Sequence, residues 1–129
     1  MIVVSSLYAS LNGLIYVALS INVIRKRWKF KQSLGDGGES ILRKAIRVHG
    51  NFSEYVPLAL VLLGFLELNQ VQTIWLHIIG SSLTIGRILH AFGLSFFRGS
   101  SFPRFAGMSL TFGVLIISSL LLLKKGLSL

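Results

Sequence analysis

The sequence predicts an all-α integral membrane protein, a four-transmembrane-helix bundle formed as a single domain over residues 1–129. Three observations lead there. Apolar runs of about the ~20 residues needed to cross a ~30 Å hydrocarbon core occupy residues 2–24, 45–66, 72–95 and 105–123, and together use nearly the whole chain. Hydrophobic residues make up 53% of the chain and charged ones 13%, about half the charge of an ordinary soluble domain. The 13 Lys and Arg against 4 Asp and Glu, a net charge of +9, lie mostly between the runs rather than around a surface. There is no cysteine. Disulfides, cysteine zinc sites and a protein thiol nucleophile are excluded, so any sulfur chemistry must come from a bound thiol.

The first run has no basic residue ahead of it and ends in Arg25-Lys26-Arg27, so it reads as an uncleaved first span rather than a secretory signal. The loop from Arg25 to Lys44 adds Lys29, Lys31 and Arg43, against Asp36 and Glu39 only, whereas the loop from Glu67 to Gln72 has no basic residue. Loops rich in Lys and Arg stay in the cytoplasm. The first and third loops therefore face the cytoplasm and both termini the opposite side, with Lys124 and Lys125 the only basic residues that disagree. Lys29 and Lys31 read as topology signal and lipid anchors. Nucleic-acid binding loses its support, and Ser33 to Ser40, with Gly35, Gly37 and Gly38, reads as a flexible loop.

Small residues recur at helical spacing in the first span (Ser6, Ser10, Gly13, then Val17 and Ser20) and in the fourth (Gly107, Thr111, then Val114 and Ser118). Such stripes let helix backbones approach closely in lipid, within the bundle or between copies. In the second span, Pro57 forfeits the amide bond to the Ser53 carbonyl and should bend the helix.

Ionisable side chains inside a span cost about 2.5 to 3.5 kcal/mol each and need partners. Arg43, Arg47, Asn51 and Glu54, spaced four, four and three apart, form one stripe on the second span; Arg87 and His90 form a second patch on the third. Counted from the cytoplasmic ends, Glu54 and Arg87 both lie about 15 Å deep, within reach of each other. A self-satisfied ion pair is one reading. Arg47, Asn51, His90 and Arg104 exceed what one carboxylate can neutralise, which favours a polar cavity short of negative charge, open to the cytoplasm and suited to an anionic guest. His49 lies off the stripe and reads as an interhelical hydrogen bonder, and His77 stands alone near the outer end. No metal site, phosphate loop or Ser-His-Asp set is indicated.

The segment Arg47-Val48-His49-Gly50-Asn51-Phe52-Ser53-Glu54-Tyr55-Val56-Pro57 resembles the second-helix signature R-x-x-x-N-x-x-E-x-x-P of the MAPEG family, the membrane-associated proteins in eicosanoid and glutathione metabolism. Its core is similar to the cysteinyl-leukotriene synthase branch, while Gly86-Arg87-Ile88-Leu89-His90 resembles the third-helix Gly-Arg-x-x-His of the microsomal prostaglandin-E synthase branch. The resemblance implies a bacterial-type member that forms a homotrimer and binds glutathione as cosubstrate between protomers near the cytoplasmic side. It implies that Arg47, Asn51, Glu54 and Tyr55 hold the tripeptide, Arg47 on a carboxylate and Glu54 on the amino group, with Arg87 and His90 completing the pocket. It also implies that Arg104 stabilises the thiolate that attacks electrophiles; contact with lipid head groups is the alternative for that arginine. Family positions that often carry tyrosines are Leu94 and Met108 here, and Phe105 stands where some members have serine.

The function expected is that of a glutathione transferase or glutathione-dependent peroxidase acting on lipophilic electrophiles or lipid hydroperoxides. The second substrate would lie between the first and fourth helices of neighbouring protomers, in a bacterial inner membrane. A non-catalytic lipid-binding or scaffold protein is the alternative, and a small four-helix transporter a third. The first span has no acidic residue of the kind such transporters centre on.

Overall fold

The computed structural model describes all of residues 1–129. It is all-helical, with α1 over Val4–Phe30, α2 over Ser40–Leu68, α3 over Thr73–Phe96 and α4 over Phe102–Gly126. Each helix is long and apolar enough to cross a membrane. They outrun the apolar stretches at the basic end of the bundle, where α1 continues through Arg25-Lys26-Arg27 to Phe30 and α2 starts at Ser40. Backbone amides have no competing donors or acceptors in hydrocarbon, so helical pairing persists until water and glycine supply alternatives. The first loop is accordingly short. Lys31 ends α1 in a left-handed conformation, and an Asp36–Arg43 ion pair of 2.6 Å ties the loop to α2. The Arg43 guanidinium and the Gly38 amide hold the Asp36 carboxyl below its ordinary pKa.

Helix α2 packs against the other three, whereas α1 and α4 do not pack on each other. The interior divides along its length. Val4, Tyr8, Ala59, Leu63, Leu66, Leu76, Ile79, Leu83 and Val114 form an apolar core in the half that holds the N-terminus. The other half buries Arg87, His90 and Thr111 beside Leu42, Ala45, Val48 and Phe52.

Of the two small-residue stripes, that of α4 packs inside the bundle: Gly107, Thr111, Val114 and Ser118 are all buried. Gly86 and Gly107 lie back to back, so a methyl added at Gly107 would collide with the Gly86 carbonyl and the His90 backbone. The α1 stripe behaves differently. Ser6, Ser10, Gly13 and Val17 are exposed, and α1 instead buries Val4, Ser5, Tyr8 and Asn12.

Glu67 closes the opposite end. Its Oε1 accepts from the Val3 and Val4 amides at 2.8 Å each and its Oε2 from the Ser5 amide at 2.7 Å. A carboxylate in a last helical turn is unfavourable for its own helix. Here it satisfies three of the orphan amides at the start of a neighbouring helix.

Replacing Glu67 with alanine should lower the detergent-solubilised protein's thermal midpoint by a few degrees, matching the loss of about 0.5–2 kcal/mol expected when a helix N-terminus loses its cap. Gly107→Ala should cost a similar amount through overpacking against backbone that cannot yield. Gly64→Ala, where an added methyl meets nothing, should leave the midpoint unchanged or raise it. Equal midpoints for the two glycine variants would contradict the close α3–α4 approach.

Candidate functional site

At the polar half of the bundle, α2, α3 and α4 converge on Arg87, which is 1% exposed. Its Nη2 donates to Asn51 Oδ1 on α2 and lies 3.4 Å from His90 Nδ1 one turn along α3. Its Nη1 donates to Thr111 Oγ1 on α4 at 3.3 Å and faces the Met108 sulfur at 3.6 Å. The rings of Phe52 and Tyr55 lie 6.0 and 5.9 Å from its Cζ, within cation–π range. The Nε has no partner. No carboxylate is within salt-bridge distance of this guanidinium, since the two ion pairs in the protein are Asp36–Arg43 and Arg47–Glu54.

The close Gly86–Gly107 approach brings Thr111 within reach, and Thr111 anchors its own hydroxyl proton on the Gly107 carbonyl at 2.8 Å. Its oxygen is thereby left as an acceptor for arginine. His90 is 2% exposed and packs against Gly107. Tyr55 stands edge-on to Phe112 of α4 at 5.6 Å.

Arg47 and Glu54 sit on the outward face of the same helix. Their 3.4 Å ion pair spans two turns, and both side chains are about half exposed. It lies across Gly50, where even a methyl would stand 3.2 Å from Arg47 Nη1. Glu54 therefore does not pair with Arg87. The Arg87 head group is level with Asn51, one turn nearer the basic end than Glu54, because α2 begins before Arg43.

Arg104 stands in the first turn of α4, capped by the Ser101 hydroxyl, with its backbone packed on Gly93 of α3. Gly93 is three residues beyond His90, about 4.5 Å along α3. The Arg104 guanidinium makes no hydrogen bond in the protomer, to the Arg87 cluster or elsewhere. Thus Asn51, Arg87 and His90 are brought together with Tyr55 on their edge, Arg47 and Glu54 form a separate surface pair, and Arg104 stands one turn beyond His90 without a hydrogen bond to any of them.

Two features had no place in the sequence reading. Asn12, 1% exposed, donates to the Tyr8 carbonyl at 2.9 Å and to Thr84 Oγ1 at 3.0 Å, tying α1 to α3; an Asn in the middle of an apolar span was the available signal. Thr111 was legible only as a small residue in a packing stripe, yet it is a ligand of Arg87. His49 does bond between helices, to Ser20 Oγ at 3.1 Å, and stacks on Tyr16. His77 meets the Tyr8 hydroxyl at 3.0 Å. No cluster of three metal-ligating side chains is present. An apolar groove of about 400 Å³ runs between α1 and α2, walled by Ala9, Gly13 and Tyr16 on one side and Phe52, Val56 and Leu60 on the other.

Comparison with known proteins agrees with this architecture. The chain is 42% identical over 116 residues to Inner membrane protein YecN of Escherichia coli strain K12, covering 88% of this chain and 86% of the relative, and matches the YecN of an O6:H1 strain equally well. No solved structure matches. The MAPEG family pattern matches residues 5–124, almost the whole of a four-helix chain with its polar α2 stripe and its Gly-Arg-x-x-His on α3, and the protein belongs to the MAPEG family.

Proposed function

We propose that this protein is a glutathione-binding enzyme of the bacterial inner membrane, a homotrimer that conjugates glutathione to lipophilic electrophiles or uses it to reduce lipid hydroperoxides. The observation that carries the proposal is the buried Arg87 guanidinium, held by neutral groups and by no carboxylate. A buried cation without a counter-ion is costly, and an anionic guest offsets the cost.

Glutathione has two carboxylates and one ammonium at neutral pH. Arg47 suits a carboxylate, Glu54 the ammonium, and Asn51, whose oxygen is taken by Arg87, keeps its amide protons for the peptide backbone. Tyr55, Arg87 and His90 complete the pocket. The half-exposed Arg47–Glu54 pair also supports self-association, whose trimeric order rests on the family resemblance. The face it occupies continues as Leu58, Val61, Phe65 and Leu68, all exposed. An ion pair facing hydrocarbon is unfavourable, and copies assembled about this face would enclose it.

Arg104, free of intraprotomer partners, would stabilise the thiolate by favouring the charged form of the thiol. In conjugation the sulfur forms a bond to the electrophilic carbon, and that carbon's leaving group or π electrons depart. In peroxide reduction, sulfur attacks the terminal oxygen and the lipid alcohol leaves; a second glutathione then displaces water and leaves the disulfide. The groove between α1 and α2 supplies one wall for a lipophilic partner. The basic end of the bundle faces the cytoplasm in this arrangement.

The Met108 sulfur against Arg87, where other members carry a tyrosine hydroxyl, favours a second reading: a non-catalytic lipid-binding or scaffold protein. A transporter is less well supported, because Glu54 is engaged by Arg47 rather than free to cycle protons.

Calorimetric titration of the detergent-solubilised protein with glutathione should show saturable binding, weakened about tenfold by Arg47→Ala or Glu54→Ala, the loss of one charge-assisted hydrogen bond. Absence of saturable binding to the wild type would sink the proposal. Arg104→Ala should retain that binding yet lose most turnover of a chromogenic electrophile. Binding without turnover in the wild type would select the scaffold reading instead.

A further inference from the structure

A second concentration of positive charge lies away from the Arg87 cluster, at the basic end where α1, α2 and α3 meet. A cavity of about 400 Å³ opens there, lined by Asn22 and Lys26 of α1, Ser40 and Lys44 of α2, Ser95 of α3 and, on its apolar side, Phe96. A neighbouring hollow of similar volume shares Asn22 and Lys26 and adds Arg25 and Lys29. No carboxylate enters an ion pair with any of these four cations, although Glu39 is the residue before Ser40. Lys44 is held in place by a 3.3 Å hydrogen bond from its ammonium to the Phe97 carbonyl at the end of α3, which leaves two of its three donors free. That bond also offsets the negative end of the α3 dipole, as Lys29 in the last turn of α1 does for its own helix. On the α2 side, the first turn has no side-chain cap.

The chemistry is specific. Two ammonium groups, two hydroxyls and a carboxamide offer donors to several oxygens of one group, which suits a tetrahedral phosphate better than a planar carboxylate. The exposed Phe96 and Ile41 beside the cavity give an apolar flank at the level where helices leave the membrane. We propose that this cavity is a phosphate-binding site, separate from the thiol site, whose occupant is the phosphate of an anionic phospholipid or of a soluble phosphate ester. With four cations and no paired acid around it, the site disfavours a head group that carries its own ammonium, so a phosphatidylglycerol-like lipid is preferred over a zwitterionic one.

The experiment is lipid retention by the delipidated, detergent-solubilised full chain, read by native mass spectrometry during titration with phosphatidylglycerol, phosphatidylcholine, glycerol 3-phosphate or inorganic phosphate. The wild type should bind phosphatidylglycerol in preference to phosphatidylcholine. Each of Lys26→Gln and Lys44→Gln should weaken that binding about fivefold and the pair about thirtyfold, with Lys124→Gln/Lys125→Gln at the other end without effect. The double Lys→Arg variant, which keeps both charges, should retain binding and guards against a folding defect. Lysine-dependent binding of glycerol 3-phosphate or inorganic phosphate, with none of phosphatidylglycerol, would establish the site with a soluble occupant. Phosphatidylglycerol binding indifferent to both lysines, equal binding of the two lipids, or no binding of any of the four probes would overturn it. Because none of these probes is a thiol, failure here leaves the glutathione titration untouched, and the converse holds.

Discussion

One buried guanidinium without a counter-ion organises the polar half of this protein. Arg87 takes contacts from three helices: Asn51 from α2, His90 from its own α3, and Thr111 with Met108 from α4. Neutral acceptors and ring faces lower the cost of burying the charge without cancelling it. Much of the surrounding packing serves that arrangement. Thr111 reaches Arg87 only because Gly86 and Gly107 allow α3 and α4 to touch backbone to backbone. A larger residue at either position would separate the helices and withdraw an acceptor from the cation. Packing and electrostatics are here one constraint, since the residues that close the helix pair also position the charge.

The shortage of acids shows how the remaining charge is distributed. The chain has four, and three have defined tasks in the fold: Asp36 ties the first loop to α2, Glu54 balances Arg47, and Glu67 caps α1. Only Glu39 is left, and it forms no ion pair with Arg87, Arg104 or the lysines at the basic end. A soluble protein would solvate such cations in bulk water. Within or beside a bilayer they must find lipid phosphates, solutes or the dipoles of their own helices.

The helices were legible because hydrocarbon leaves the backbone almost no alternative, so length and apolarity were sufficient. Helix ends were less so, since capping at Lys31 and the early start of α2 depend on local geometry rather than hydropathy. That small offset had a consequence within the candidate site. Counting from Arg43 put Glu54 level with Arg87, whereas the true register puts Asn51 there. The α2 stripe was readable as a stripe, but not which of its members turns inward. Similarly, small-residue spacing found the packed face of α4 and an exposed face of α1 with equal ease, because spacing records which residues share a face and not what covers it. Glu67 was opaque for a different reason: its partners are 62 to 64 residues away and are backbone amides, which leave no side-chain signature.

The two positive regions differ in depth, and depth determines what each can hold. Lys44 precedes Asn51 by seven residues, about 10 Å along α2, roughly one Debye length at physiological salt. At the ends, lysine ammonium groups beside water can meet a phosphate on a lipid that exchanges with the membrane. Beside Arg87 the guanidinium is pinned by three helices, and an anion that reaches it must leave water first. A guest at that level has to supply matching groups for Arg47, Glu54 and Asn51 to offset its own desolvation. Phosphate lacks an ammonium for Glu54, whereas a zwitterionic peptide has one. The same excess of cations over acids thus presents two different patterns, charge alone at the surface and an order of charges along α2.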